Sequence, residues 1–350
     1  MNDIVRLADF SLDELNDWLA ANVPSASQAY RGAQIYRWLG LGAPDFGEMT
    51  NLPSALRSEL ASLAATGIPQ IAGTTRSAAD GTVKFAMRTC DGLIIESVLM
   101  RYRHGDAVCV SSQAGCKMGC AFCATKPGSF SRSLSPGEIF GQVVAVNRQE
   151  NVKANHVVVM GIGEPFNNYD ATMKSIRLLH DHQETNIGYR MVTISTCGIV
   201  PGIERLAAEG LPVGLSASLH AASDEIRSAL MPVNRSFSID KLIEGCKIYT
   251  CKTKRRVTFE YALIDGKNDA PDDAKALLRL IRGMLCHINL IPVNYTGNPA
   301  YTPPPAERVR RFYRILTDGG AQVTVRRELG ADVSAACGQL RNSKEGRSSQ

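Results

Sequence analysis

Three thiols, Cys116, Cys120 and Cys123, stand in the run Cys116-Lys117-Met118-Gly119-Cys120-Ala121-Phe122-Cys123, with Gly115 and Gly119 as joints between them. A short loop of this kind closes three sulfurs on one inorganic centre, and sulfur ligands favour zinc or an iron–sulfur cluster. A structural zinc takes four protein ligands, and a cubane cluster usually takes four thiolates. Three local ligands therefore mean either a distant fourth residue or a metal position left open to bind and activate a small molecule. From this loop alone a zinc knuckle and an open cluster stand about even.

The elements around the loop must position it. The chain has 350 residues, 44% hydrophobic and 21% charged, the composition of a globular protein with room for one large domain and a smaller companion. No apolar run reaches the roughly 18 residues that span a bilayer. The start, Met1-Asn2-Asp3-Ile4-Val5-Arg6, lacks the basic-then-apolar pattern of a signal peptide, so a cytoplasmic location with no membrane partner is expected. Ten cysteines in a reducing compartment argue for metal ligation or thiol chemistry rather than a disulfide framework. The net charge of +5 permits a polyanionic partner.

Residues 1–68 read as a helical accessory domain. Ser11 and Glu14 form a capping-box signature ahead of Leu12, Leu15, Trp18 and Leu19 at helical spacing. A second helix is expected near Ser27–Leu39, and a third from Pro53. Arg31 and Arg37 would each face solvent, or together hold a phosphate backbone. Residues 69–104 change to period two, with runs at Thr82–Arg88 and Leu93–Arg103 around the hairpin signal Asp91-Gly92. Glu96 lies in the second run, at a kind of position where most carboxylates face water. Residues 105–340 alternate strands and helices. Six or so βα units without a glycine-rich dinucleotide fingerprint predict an α/β fold with a partial or complete parallel barrel, a doubly wound sheet being the runner-up. Residues 341–350 are expected to form a disordered tail.

In such barrels the chemistry collects at the C-terminal ends of the strands. Successive expected strands end in the cysteine loop, in Gly161-Ile162-Gly163-Glu164-Pro165, in Ser195-Thr196-Cys197-Gly198, in Ser216-Ala217-Ser218-Leu219-His220 and in Pro292-Val293-Asn294. Taken singly, strand-end polar residues often just cap the next helix. As a ring around one cluster they describe a pocket for a polar, zwitterionic ligand, which favours an open iron over zinc.

With these residues the chain resembles the RlmN/Cfr family of radical-SAM RNA methyltransferases over nearly its whole length. The resemblance runs from Tyr30-Arg31-Gly32-Ala33-Gln34-Ile35 through Cys109-Val110-Ser111-Ser112-Gln113-Ala114-Gly115-Cys116 to Ala335-Ala336-Cys337-Gly338-Gln339-Leu340. Cysteines at 109 and 337 are more diagnostic than the cluster motif itself. The resemblance implies a partial (β/α)6 barrel with a small helical domain and a short antiparallel β extension. It implies one [4Fe-4S] cluster on Cys116, Cys120 and Cys123, and two S-adenosylmethionines consumed per methylation. Gly163, Glu164, Ser195, Ser218, Leu219, His220 and Asn294 would line the S-adenosylmethionine site. Cys337 would carry the methyl group, Cys109 would be its partner thiol in a transient disulfide, and Glu96 would accept the proton. The implied partners are 23S ribosomal RNA, tRNA and an external electron donor of flavodoxin type. Gly163-Glu164-Pro165-Phe166-Asn167-Asn168 and Ile291-Pro292-Val293-Asn294 resemble the branch that methylates adenine C2, although Val293 replaces a more usual phenylalanine. The other branch modifies C8.

The chemistry explains why two non-ligating cysteines are needed. Adenine C2 is not a nucleophile, whereas a thiolate is, so a protein sulfur takes the methyl group first. Cys337 lies in a run of small residues suited to a mobile loop, although most unpaired cysteines are simply small buried hydrophobes. That second role is expected for Cys90, Cys197, Cys246, Cys251 and Cys286. Lys252, Lys254, Arg255 and Arg256, then Arg308, Arg310 and Arg311, then Arg326 and Arg327 offer basic clusters that either contact phosphates or face water. The target adenine must be unstacked to enter a barrel, which favours loops over duplex. The rival readings are a radical enzyme acting on a small molecule or peptide, and a zinc-stabilised RNA-binding protein.

Overall fold

A computed structural model describes residues 4–26, 28–125, 128–296, 298–327, 329–336 and 338–340; Cys337 and the expected tail at 341–350 lie outside the described residues. The chain opens with helices α1 (Leu12–Asn22), α2 (Ala29–Gly40) and α3 (Ser54–Leu63). The expected capping box starts α1: the Glu14 N–H donates to Ser11 Oγ, and the Ser11 N–H donates to the Glu14 carboxylate. Pro53 is the residue before α3 rather than its first turn. A two-residue parallel pairing of Val5–Arg6 with Ala64–Ala65 ties the start of this region to its end, a contact that helical periodicity does not reveal.

Among the described residues, ten strands form one sheet whose spatial order follows the sequence. Strands β1 (Gln70–Arg76), β2 (Val83–Arg88), β3 (Ile94–Tyr102) and β4 (Gly105–Cys109) form an antiparallel meander. The turn from β2 to β3 uses Gly92 at φ +84°, a left-handed conformation that suits glycine. From β4 onward all pairings are parallel, through β5 (His156–Val159), β6 (Val192–Thr196), β7 (Gly214–Ser218), β8 (Val257–Leu263), β9 (Cys286–Pro292) and β10 (Val323–Val325). Helices α4 (Pro136–Glu150), α5 (Tyr169–Asp181), α6 (Val200–Ala208), α7 (Asp224–Leu230), α8 (Ile239–Thr253), α9 (Pro271–Leu280) and α10 (Ala306–Asp318) make the crossovers.

A doubly wound sheet reverses its strand order at a switch point. This order never reverses, and among the described residues β1 and β10 remain edges. The barrel is therefore partial. Its core is continuous with that of the N-terminal helices: Leu15, Leu19, Ile35, Leu39, Leu56 and Leu60 join Phe140, Ile194, Leu215 and Phe259 in one buried cluster. Each such side chain contributes roughly 1.5–3 kcal/mol of burial. Among the described residues no helix is long and apolar enough to cross a membrane.

Candidate active site

Two adjoining clefts open at the C-terminal end of the parallel strands, sharing Met160, Ile291, Asn294, Arg326 and Gly338. Ser195, Ser218, His220 and Asn294 line the smaller cleft with Phe122. Cys109 and Cys123 line the larger one with Val98 and Met100 of β3, and with Ala335, Ala336, Gly338 and Leu340 near the C-terminus.

His220 is buried, at φ +57°. Its Nδ1 accepts the Ala262 N–H at 2.9 Å, so its proton sits on Nε2. Burial lowers its pKa to about 3, leaving a neutral donor beside the Phe122 ring, whose centroid is 5.0 Å away edge-on. Other expected site residues act beneath the clefts. Glu164 is buried, its two carboxylate oxygens taken by the Phe166 and Cys197 N–H groups at 3.0 and 2.7 Å. Burial raises its pKa while these donors oppose the rise. The Leu219 side chain is fully in the core. Gly163, at φ +111°, packs so closely that a Cβ there would come within 2.7 Å of Ser112 and Gln113. Gly163, Glu164 and Leu219 can therefore meet a ligand only through the backbone.

The cysteine loop is held against these strand ends. Burial pushes the Cys116 thiol up, while the Met118 and Gly163 N–H groups bond to its sulfur and pull the other way. Cys120 is raised by burial and by the nearby Cys123 and Cys116. Desolvated thiolates that repel one another call for a cationic centre. Cys197 lies near Cys120 and Cys116, but its thiol is committed as a donor to Glu164, so it offers no ready fourth thiolate. The donor set thus fits a cluster held by three cysteines beside a cleft lined by both donors and acceptors, Ser195, Ser218, His220 and Asn294 with Arg326 and Glu260, as a zwitterionic ligand requires.

Two buried charges here escape sequence reasoning. Arg227 of α7 is fully buried, and its guanidinium donates to the carbonyls of Cys197, Ser218 and Leu219 at 2.7–3.0 Å. It braces the ends of β6 and β7, yet in sequence it looks like any helical surface arginine. Glu260 of β8 lines the smaller cleft and accepts from Ser216 and Asn289, each at 2.7 Å. Its signal was a lone acid in the otherwise uncharged strand Val257–Leu263.

Glu96 departs from the solvent-facing position usual for such residues: it is buried, and it shares the β3 face of Val98 and Met100. Since Val98 pairs with Cys109, Glu96 stands just beyond the last residue of β4, at the rim. Cys109 is buried among Val98, Met100, Ile162, Ala335 and Leu340. Ala336 and Gly338, the sequence neighbours of Cys337, both line the larger cleft.

Other expectations meet mixed outcomes. Cys197 and Cys246 are buried, but Cys90 and Cys251 are exposed, because one lies in the β2–β3 turn and the other on the outer face of α8's last turn. Arg37 pairs with Glu184 at 3.1 Å. Arg308 is committed to Asp265 and Asp269 at 2.7 and 2.8 Å. Lys252, Lys254, Arg255 and Arg256 lie where α8 leads into β8, at the end of the barrel opposite the clefts. Arg326 and Arg327 line the larger cleft.

Comparison with known proteins identifies the family. The Radical SAM superfamily model matches residues 110–281, and the ribosomal RNA large subunit methyltransferase N-terminal domain model matches residues 5–66. A probable dual-specificity RNA methyltransferase RlmN from Clostridium tetani is 43% identical, over 99% of this chain and 100% of that protein. Its namesake from Geobacillus thermodenitrificans is 46% identical over 95% and 91%. The crystal structure of a radical SAM methyltransferase from Sphaerobacter thermophilus is 45% identical and superposes with a TM-score of 0.91, covering 96% of this chain and 99% of that one. Membership of the superfamily implies S-adenosylmethionine and a [4Fe-4S] cluster. The chain belongs to the RlmN family of radical-SAM RNA methyltransferases.

Proposed function

We propose that this chain methylates C2 of an adenosine in 23S ribosomal RNA and in tRNA through a methylated cysteine, in the cytoplasm, with electrons from a flavodoxin-type donor. Cys116, Cys120 and Cys123 would hold the cluster. Ser195, Ser218, His220 and Asn294, with the backbone at Gly163, Glu164 and Leu219, would hold S-adenosylmethionine. When bound, these groups supply the methyl group and a radical able to take a hydrogen atom from it. Cys337 carries the one-carbon unit and joins it to adenine C2. Glu96 then removes the C2 proton, and the adduct's unpaired electron returns to the external electron-transfer partner. The Cys109 thiolate attacks the Cys337 sulfur and breaks its bond to the one-carbon unit; the RNA leaves with that electron pair and takes up a proton to complete the methyl group, and the two sulfurs remain as a disulfide. Residues 1–68 serve as an RNA-binding accessory domain, 69–104 as a β extension and 105–340 as the catalytic core.

The observation that most supports this reading is the shared cleft: Cys109, Cys123 and the residues on either side of position 337 all line it. A small-molecule enzyme has no evident use for such a docked C-terminal segment. The test is Cys109→Ala in iron-replete, anaerobic reactions. This variant should accumulate protein covalently joined to RNA, while wild type yields 2-methyladenosine by mass spectrometry of digested RNA. Release of methylated RNA by the variant at the wild-type rate would defeat the assignment.

A further inference from the structure

Lys84, on β2, has no role in the reading above. Its Nζ stands 3.8 Å from Glu96 Oε1, and the two side chains are only 19% and 11% exposed. An ammonium so far removed from water needs partners to offset its desolvation. The register explains the first of them. Ala86 pairs with Glu96 and Lys84 with Val98, so Lys84 and Glu96 are diagonal neighbours on one sheet face, the face whose Val98 and Met100 line the larger cleft.

The second partner lies 250 residues away: Lys84 Nζ donates to the Ser334 carbonyl at 3.4 Å. Ser334 takes a left-handed backbone conformation, φ +51°, three residues before position 337. The same hairpin grips the segment twice more. The Gly330 N–H donates to Asp80 Oδ2 at 2.8 Å, and the Ala78 N–H donates to Asp332 Oδ2 at 3.1 Å. Beyond position 337 the grip passes to the cluster loop. The Ala124 N–H donates to the Gly338 carbonyl at 2.7 Å, and Thr125 Oγ1 donates to the Leu340 carbonyl at 3.0 Å.

We infer that Lys84 is a positioning residue that makes the orientation of Glu96 and the docking of the C-terminal segment a single event. Its ammonium bridges the two. The carboxylate is therefore aimed when the segment is seated and loses part of its hold when the segment leaves. A proton acceptor ordered this way acts on the adduct carried by that segment and not on RNA that has merely arrived. The inference rests on the proposed roles of Glu96 and Cys337.

The test uses the full-length reconstituted chain with RNA and follows the lifetime of the protein–RNA adduct. Lys84→Met should lengthen it about tenfold, a modest part of the 10²–10⁴ that a positioned base contributes. Lys84→Arg should restore it to within about threefold. Combining Lys84→Met with Glu96→Gln should slow decay no more than Glu96→Gln does by itself, the signature of groups acting through one another. Amide exchange of residues 329–340 should quicken in Lys84→Met and stay unchanged in Lys84→Arg. An unchanged adduct lifetime, multiplicative effects in the double variant, or unaltered exchange would each overturn the inference. Should Lys84→Met fail to fold, Lys84→Gln takes its place in the same comparisons. If wild-type protein never carries a methyl thioether or an adduct, the functional reading fails, and this inference with it.

Discussion

Glu260 presents a carboxylate inside the smaller cleft while Ser216 and Asn289 each donate to one of its oxygens. A second lone pair on each oxygen stays available to a ligand hydroxyl. Glu260→Leu keeps much of the bulk but leaves the buried Ser216 hydroxyl and the Asn289 amide without their acceptor. That loss should cost about 1–3 kcal/mol, read as a lower unfolding midpoint, and should weaken S-adenosylmethionine binding in equilibrium dialysis. Wild-type stability and affinity in this variant would show that the carboxylate does not hold the cleft together. Side chains at strand ends were legible in the sequence because barrel geometry sends strand ends to the site. Glu260 was not, since it sits inside a strand, and only tertiary pairing with Ser216 and Asn289 reveals that it faces the cleft. For Glu164 and Leu219 the motif pointed to the right place but not to the atoms: one carboxylate is consumed by backbone N–H groups, and one side chain is buried in the core.

At the scale of elements, the helical layer is fastened to the barrel by His182, just after α5. Its ring stacks on Tyr36 of α2, centroids 3.6 Å apart, and on Phe140 of α4 at 4.7 Å. Burial lowers its pKa from 6.5 to about 3. Between those values the unfolded chain binds a proton that the folded chain refuses, so stability is complete above about pH 6.5 and falls as the pH drops toward 3. From pH 7 to pH 5 the loss from this residue should be about 2 kcal/mol. His220, lowered similarly, adds its own share. His182→Phe keeps the stack and cannot titrate. In urea unfolding it should therefore lose less stability between pH 7 and pH 5 than wild type; equal losses would acquit His182. Periodicity predicted the alternation of strands and helices over residues 105–340. It could not predict this clasp, which joins residues far apart in the chain, nor whether the barrel closes, which depends on pairing at the sheet edges.

Across the whole molecule, the net charge of +5 matters less than where its cations stand relative to the clefts. Exposed Arg310 and Arg311 lie in the second turn of α10, which follows β9 on the cleft side, and exposed Arg327 lines the larger cleft. Arg308 shares that side but is neutralised by Asp265 and Asp269. Lys252 and Lys254 stand at the far end of the barrel. Sequence cannot separate these groups, because a basic run reads the same at either end of a strand. A single-stranded RNA entering the cleft should release roughly 0.7 of a counterion for each phosphate neutralised. Anisotropy titrations over a range of salt should therefore give a slope of log K against log salt that falls by about 0.7 for Arg327→Ala and again for Arg310→Ala. Lys252→Ala with Lys254→Ala should leave the slope unchanged, and Arg308→Ala should change it less than either rim arginine. The reverse pattern would place the RNA path around the back of the barrel, away from the strand ends, and would separate RNA binding from the cleft in which the adenine must react.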